Sequence, residues 1–218
     1  MTKLQSVTFS SKDVQKTAIY GLEWHPNYFT TFDNSAYYII ETPEGGIVEI
    51  LFYANAQKAT WFGVHTGQRD QLTFFGDPRA SIHGIFLDCR KDSPTLHRKQ
   101  KLSFKPDPTK HLLIDRGIAH AFSFPRNITV RVEPIWFMAE NNEDYDLVND
   151  NLSFRIDEDP PNYPKLTVNT IPVPDEVLRY VLTEQQKAIL EGRTKGFSIR
   201  TLLRGEVKRI SVKRKQRN

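Results

Sequence analysis

The stretch Gly84–Phe122 limits what this chain can fold into more than any other part of it. Two short apolar runs, Gly84–Cys89 and His111–Ile114, have the length and composition of strands and are too short for helices. The cluster DSPT at 92–95 is a turn signal, because proline fixes φ and the Asp and Ser side chains bond nearby backbone. Strand, tight turn and strand, with His120 just past the second turn, predict a small β-barrel or jelly roll with a site in its mouth.

The same stretch carries two sequence blocks that resemble a known family. DxRKDSPT from Asp88, followed by IxxGxAHxF ending at Phe122, is similar to the dTDP-4-dehydrorhamnose 3,5-epimerases, which are RmlC-like cupins. The resemblance is specific over Gly84–Phe122 and thinner from Trp61 to Asp159. It implies a mainly β fold, the RmlC-like double-stranded β-helix jelly roll. It also implies a nucleotide-linked 4-keto sugar as substrate, with proton abstraction beside the ketone and reprotonation on the other face.

Two histidines fall on the family's site positions. Trp61–Gln68 aligns loosely with the family's RGLHxQ strand, and His65 takes the place of the catalytic base. The chemistry is plausible from the residue itself, since an imidazole near neutral pKa can remove a proton next to a ketone. The alternative is a hydrogen-bonded histidine of the barrel wall. His120 matches the family's pocket-lining AHGF histidine.

The run 130–137 alternates like a strand, and its two faces have different chemistry. In the family this strand presents two tyrosines inward, one of them the general acid, and the alignment puts Arg131 and Phe137 at those places. Phenylalanine has no proton to give, so the usual acid is missing. Glu133 shares that face as a possible acid or base, with an ion pair to Arg131 as the alternative. Tyr145, in a loop, is the nearest replacement phenol.

Three other positions depart from the family pattern. Phe62 stands where the family has arginine, Thr73 where it has lysine, and Gln186 where an aspartate orients the catalytic histidine. The first two remove positive charge that an enolate oxygen or a phosphate would need. These losses leave two alternatives open, a related cupin enzyme with a different small-molecule substrate, or a non-catalytic cupin that binds a ligand or serves in assembly.

The metal-binding pattern of other cupins is incomplete. The first cupin motif usually offers two histidines, but Gly67 stands where the second would be, which leaves His65 and the distant His120. Because a catalytic metal usually needs three protein ligands, the sequence predicts no metal, and no other cofactor is implied.

A proline-rich segment, 159–164, marks the end of the β domain. We therefore predict a cupin-like barrel over 1–164 and an extension over 165–218, with a helix over Pro174–Glu191. Residues 193–218 hold ten Lys or Arg and one Glu, so the tail is strongly basic while the rest of the chain is mildly acidic. The tail is either a binding segment for an anionic partner or a solvated surface segment.

Cysteine usage, hydropathy and aromatic content add weaker expectations. Cys89 is the single cysteine, which excludes an intrachain disulfide, and we expect it to be packed rather than nucleophilic. No run of about 18 apolar residues or signal-peptide core is present, which with the lone cysteine predicts a cytoplasmic protein. Aromatic-rich N-terminal strands and open sheet edges predict a homodimer. Asp88 and Arg90, two residues apart, are interpreted as a surface or interface pair.

Overall fold

Two sheets of mostly antiparallel strands form the body of the protein. The computed structural model describes residues 14–26, 28–32, 35–39, 48–140, 151–174, 177–178, 196–203 and 206–213, and for 28–32, 35–39, 196–203 and 206–213 the backbone only. This architecture confirms the predicted mainly β, jelly-roll-like fold class.

The first sheet has eight strands and presents one apolar face to the core. Its main path runs β1-β2-β10-β7-β12-β5, and β13 pairs with both β7 and β15. The strands are β1 (Gln15–Lys16), β2 (Leu22–Pro26), β5 (Glu49–Tyr53), β7 (Gln68–Phe75), β10 (Lys110–Ile114), β12 (Ile128–Val132), β13 (Ile135–Met138) and β15 (Ile171–Pro172).

The second sheet has seven strands in the order β17-β16-β14-β6-β11-β8-β9. All of its pairings are antiparallel except that of β14 with β16, which is parallel. Its strands are β6 (Trp61–His65), β8 (Ile82–Asp88), β9 (Lys99–Phe104), β11 (Ile118–Ser123), β14 (Asn151–Arg155), β16 (Gly196–Leu203) and β17 (Glu206–Lys213). A separate hairpin joins β3 (Tyr28–Phe32) to β4 (Ser35–Ile39).

Strand alternation decides which side chains lie between the sheets. Leu72 and Phe74 of β7, and Val130 and Val132 of β12, share one buried cluster with Phe86 of the second sheet. Their neighbours in sequence lie on the outer faces, because successive side chains of a strand point to opposite sides. The inner face of β7 begins with two polar residues, Gln68 and Asp70, before it becomes apolar.

The predicted DSPT turn follows β8 and the predicted turn at Gly117 precedes β11, the strand of His120, but the Asp88–Arg90 pair is not on the surface. Asp88 is fully buried and Arg90 is 8% exposed, and two of their N–O contacts are 2.8 and 2.9 Å. The surface interpretation is therefore wrong. Ser93 and Thr95 of the DSPT turn each donate a hydrogen bond of 2.6 Å to Asp88. The motif therefore forms a hydrogen-bond network around the buried Asp88 carboxylate, which we call the Asp88 network.

Several other expectations can be compared with the described residues. Cys89 is fully buried and burial raises the pKa of its thiol to about 12, which agrees with a packing role. The predicted helix over Pro174–Glu191 lies largely outside the described residues, of which 177–178 are helical. The tail contributes the β16–β17 hairpin to the second sheet. Among the described residues, no helix has the length and hydropathy of a membrane span.

Candidate functional site

Two histidines meet on neighbouring strands of the second sheet. His120 on β11 lies opposite Gly63 on β6, and His65 is two residues further along the same face of β6. The two imidazole ring centroids are 6.0 Å apart and the rings are tilted by 39°. The structure therefore brings together the two residues that the motifs singled out, while their chemical roles stay predictions.

The facing sheet adds a carboxylate that the sequence analysis missed. Asp70 on β7 is 3% exposed, and its Oδ2 atom lies 3.5 Å from Nε2 of His120. Its other oxygen, Oδ1, accepts a hydrogen bond of 2.6 Å from the side-chain amide of Gln68. The available signal was the alternation on β7, where two polar residues interrupt a face that otherwise packs into the core.

The environment of His120 favours its neutral form. Burial lowers the pKa of His120, the Asp70 carboxylate opposes this shift, and the neighbouring His65 lowers the pKa further. Nδ1 of His120 lies 3.2 Å from the carbonyl oxygen of Ile118. Both ring nitrogens thus face oxygen atoms, one from the backbone and one from Asp70.

The turn before β11 fixes His65 relative to His120. Gly117 has φ +75°, a left-handed conformation that glycine adopts without strain, and its N–H donates to the carbonyl of His65 at 2.7 Å. A Cβ at this position would approach Cγ of Arg90 to 2.5 Å. The glycine of the IxxGxAH block therefore allows the close packing that sets the two imidazoles side by side.

A second carboxyl group, that of Glu49, lies close enough to Asp70 and His65 to interact with their charges. Glu49 on β5 pairs with Val132, a core residue, and directly opposed residues of antiparallel strands share a face. Burial raises the pKa of Glu49, the charge of Asp70 raises it further, and His65 opposes the shift. Because Glu49 is exposed to solvent, it lies at the edge of the first sheet rather than in the core.

An aromatic-walled cavity of about 310 Å³ opens next to His120. Ring centroids step outward from His120 to Phe122 at 5.9 Å, from Phe122 to Phe124 at 5.7 Å, and from Phe124 to Tyr53 at 4.3 Å. Trp61 and Lys58 also line this space. The cavity combines aromatic rings, which can stack on a sugar or a base, with polar lining groups, and His120 is the member of the histidine cluster that borders it.

Three predicted pocket residues lie on the other side of the first sheet. The predicted strand over 130–137 is divided into β12 and β13 by a break at 133–134, and the valines of β12 face the core, so Arg131, Glu133 and Phe137 occupy the outer face. Arg131 and Glu133 form an ion pair of 2.6 Å, which is the alternative that the sequence left open. The Phe137 ring packs against guanidinium groups of Arg69 and Arg116. The physical reason is that alternation defines two faces without saying which one is inside.

The remaining departures from the family pattern can be placed only in part. Phe62 is fully buried in a second apolar cluster on the outer side of β6, and Thr73 lies beside Arg131 on the outer side of β7. Neither position puts a side chain beside His65 and His120. Tyr145 and Gln186 lie outside the described residues.

The premise behind the prediction of no metal is wrong. It assumed two histidines without a third ligand, but His65, Asp70 and His120 each offer one ligand atom, and these atoms lie within 4.8 Å of one another. The third ligand comes from the facing sheet, and sequence spacing does not reveal such a contact.

Comparisons with known proteins give structural likeness only. No protein-family model matches the chain, and no curated protein sequence matches it significantly. The RmlC epimerase of Mycobacterium tuberculosis is 16% identical, with a TM-score of 0.48, over 82% of this chain and 98% of that one. The dTDP-4-dehydrorhamnose 3,5-epimerase of Elizabethkingia anophelis is 11% identical, with a TM-score of 0.47, over 75% and 87%.

A third similar structure, the dTDP-4-dehydrorhamnose 3,5-epimerase of Bacillus anthracis str. Ames with TDP and PPi bound, is 15% identical. Its TM-score is 0.46, over 62% of this chain and 87% of that one. These proteins belong to the group that the two sequence blocks resemble. Likeness at this level does not fix a shared reaction, which has to follow from the side chains of the site.

Proposed function

We propose that this protein is an epimerase-like cupin that moves a proton next to the ketone of a nucleotide-linked 4-keto sugar. One observation carries the proposal. Two imidazoles and a carboxylate converge between the sheets, and one of the imidazoles, that of His120, borders an aromatic-walled cavity of about 310 Å³. The DxRKDSPT and IxxGxAHxF blocks support the substrate class.

In the proposed reaction His65 is the base. It takes a proton from the carbon beside the ketone, and the bonding electrons move to the ketone oxygen as an enolate forms. His120 lies beside His65 and borders the cavity, so it contacts the sugar. Phe137 is on the outer face and cannot return the proton.

Glu49 is the proposed proton donor. Burial, and then the charge of Asp70, raise its pKa, and it approaches the cluster of His65, Asp70 and His120 from β5, in the facing sheet, rather than from the strand of His65. It returns a proton to the same carbon from the other face, and both groups then exchange protons with water. This assignment replaces Glu133 and Tyr145 as the first choice of acid.

Hydrogen exchange tests the proposed reaction. The protein is incubated with dTDP-4-keto-6-deoxyglucose in deuterated water, and exchange at C3 and C5 is followed by NMR. We expect exchange with the wild type and none with His65→Ala, while Glu49→Gln should exchange without net epimerisation. His25→Gln, a histidine on the far end of β2, is the matched control. Absence of exchange in the wild type would refute the proposed reaction.

A non-catalytic binding protein is the second candidate. The absence of the family's cations, with Phe62 and Thr73 facing away from the cluster, favours binding without turnover. Calorimetry with dTDP and with the keto sugar distinguishes the two candidates, because tight binding without exchange supports the second.

We also propose a homodimer formed at the β5 edge. Ile50 and Phe52 on the outer face of this edge strand are 68% and 64% exposed, and an exposed apolar edge invites strand pairing. A monomeric mass by light scattering at micromolar concentration would contradict the dimer. Cytoplasmic location, the division at residue 164 and an anionic partner for the basic tail likewise stay proposals.

A further inference from the structure

We propose that His65, Asp70 and His120 form a binding site for one divalent transition-metal ion, with Zn²⁺ as the probe. Two imidazole nitrogens and one carboxylate oxygen are a donor set that such ions accept. The three ligand atoms already lie within 4.8 Å of one another in the structure. The inference concerns binding and does not depend on the proposed reaction.

The first argument is the hydrogen bonding of His120. Nδ1 faces the carbonyl oxygen of Ile118 at 3.2 Å, and Nε2 faces Oδ2 of Asp70 at 3.5 Å. A neutral imidazole has one N–H donor and one lone pair, so it can satisfy only one of these oxygens. With the proton on Nδ1, the Nε2 lone pair and the carboxylate oxygen face each other, and a cation between them removes the repulsion.

The second argument is the distance across this gap. A charge-assisted hydrogen bond between an imidazolium and a carboxylate is about 2.7–2.9 Å long, clearly shorter than the 3.5 Å observed. Two ligand atoms bound at about 2.1 Å to one tetrahedral ion lie about 3.4 Å apart. The separation between His120 and Asp70 therefore fits a shared metal ion better than a shared proton.

The third argument is the support behind the ligands. The amide of Gln68 donates to Oδ1 of Asp70 at 2.6 Å, which directs Oδ2 towards His120. The Ile118 carbonyl accepts from Nδ1 of His120, which leaves Nε2 as the ligand. Metal-binding histidines commonly donate their second N–H to a carbonyl, and ligating carboxylates are themselves hydrogen-bonded.

A second histidine pair provides an internal comparison. His25 and His111 stack at 5.3 Å, and Glu23 lies 3.2 Å from His25. His111 is on β10, and its side chain lies on the face opposite to that of Leu112, so this pair lies outside the core. Among the described residues, only the inner cluster places three ligand atoms within reach of one ion.

Coordination has a consequence for the proposed reaction. A metal ion would engage the lone pair that His65 needs as a base, so the metal-loaded protein should not catalyse exchange. Metal binding and hydrogen exchange are measured separately, and failure of one is distinguishable from failure of the other.

Direct titration tests the site. The full-length protein is stripped with a chelator and titrated with Zn²⁺ by calorimetry, and with Co²⁺ while its visible absorption is recorded. We expect one ion per chain for the wild type. Asp70→Asn and His120→Gln should weaken binding at least about 100-fold, and Gln68→Ala, which removes only support, by about 10–100-fold. Circular dichroism confirms that each variant is folded.

The control variant is His111→Gln, which should bind Zn²⁺ as the wild type does. Three results would overturn the site: no binding to the wild type, equal binding by Asp70→Asn, or loss of binding on His111→Gln alone. A fourth such result would come from ¹⁵N NMR of the metal-free protein. If the shifts show both ring nitrogens of His120 protonated at pH 7, and Zn²⁺ does not change these shifts, a proton rather than a metal ion lies between His120 and Asp70.

Discussion

Asp88 and Asp70 are both buried carboxylates, but among the described residues Asp88 has more hydrogen-bond donors around it than Asp70 has. Asp88 accepts hydrogen bonds from Arg90, from Ser93 and from Thr95, at 2.6 to 2.9 Å from their side chains. Asp70 accepts one from Gln68, and its second oxygen stands 3.5 Å from His120. A saturated carboxylate stabilises a fold, whereas an unsaturated one beside two imidazoles is available to a proton, a substrate or a metal ion.

The largest expected effect is the loss of the saturated carboxylate. Asp88→Ala leaves the Arg90 guanidinium buried without its partner and should lower the free energy of unfolding by about 3–5 kcal/mol. Chemical denaturation measures this change. Asp77→Ala is the control, because Asp77 and Arg79 have the same spacing but are 48% and 88% exposed. The denaturation midpoint of Asp77→Ala should equal that of the wild type. An equal loss of stability in both variants would contradict the idea that burial makes the Asp88–Arg90 pair important.

As the pH falls, protonation of the histidines should reduce the free energy of unfolding before protonation of Asp88 weakens the Asp88 network. Burial, and then the neighbouring His25, lower the pKa of His111 from 6.5 to about 4. The folded state prefers neutral His111, so this contribution is complete above pH 6.5, declines as the pH falls to 4, and is about 3 kcal/mol at most. Burial raises the pKa of Asp88, but its hydrogen bonds outweigh this and the net pKa is lowered from 3.8. Its contribution is therefore complete above pH 3.8.

Stability curves from pH 7 to 4 check this order. In His111→Gln the free energy of unfolding should fall less between pH 7 and pH 4 than it does in the wild type. The contribution of Asp88 to the free energy of unfolding should persist until the pH falls below 3.8. A decline of the same size in His111→Gln would show that another group causes it.

Asp70→Asn should separate stability from chemistry. The substitution removes a buried charge that has no matched cation, so the free energy of unfolding should be unchanged or rise by about 1 kcal/mol. Exchange at the keto sugar should fall by about 100-fold, because His120 loses the group that positions it. If Asp70→Asn loses as much stability as Asp88→Ala, Asp70 stabilises the fold in the way that Asp88 does, and the contrast between the two carboxylates is wrong.

Phe137→Tyr should have the smallest effect. The ring lies between Arg69 and Arg116 on the outer face of the first sheet, so an added hydroxyl does not reach the cavity. The exchange rate should equal that of the wild type. An increased rate would mean that this residue faces the site as the sequence alignment suggested.

The sequence by itself determined the β architecture, the turns and two of the site residues. Short apolar runs separated by DSPT and by Gly117 leave little choice but strands and tight turns, because these are local properties of the chain. The motif positions of His65 and His120 could be predicted for the same reason. Local pattern also predicted a strand over 130–137, which the structure divides between β12 and β13.

Only the tertiary structure decided which faces and which partners those elements have. Alternation is symmetric, so packing of Val130 and Val132 against the second sheet was needed to put Arg131 and Phe137 outside. Asp70 joins the histidines across two facing sheets, a contact set by the stacking of the layers. Burial of Asp88 likewise follows from tertiary packing, since an Asp-x-Arg spacing occurs exposed at Asp77 and buried at Asp88 in the same chain.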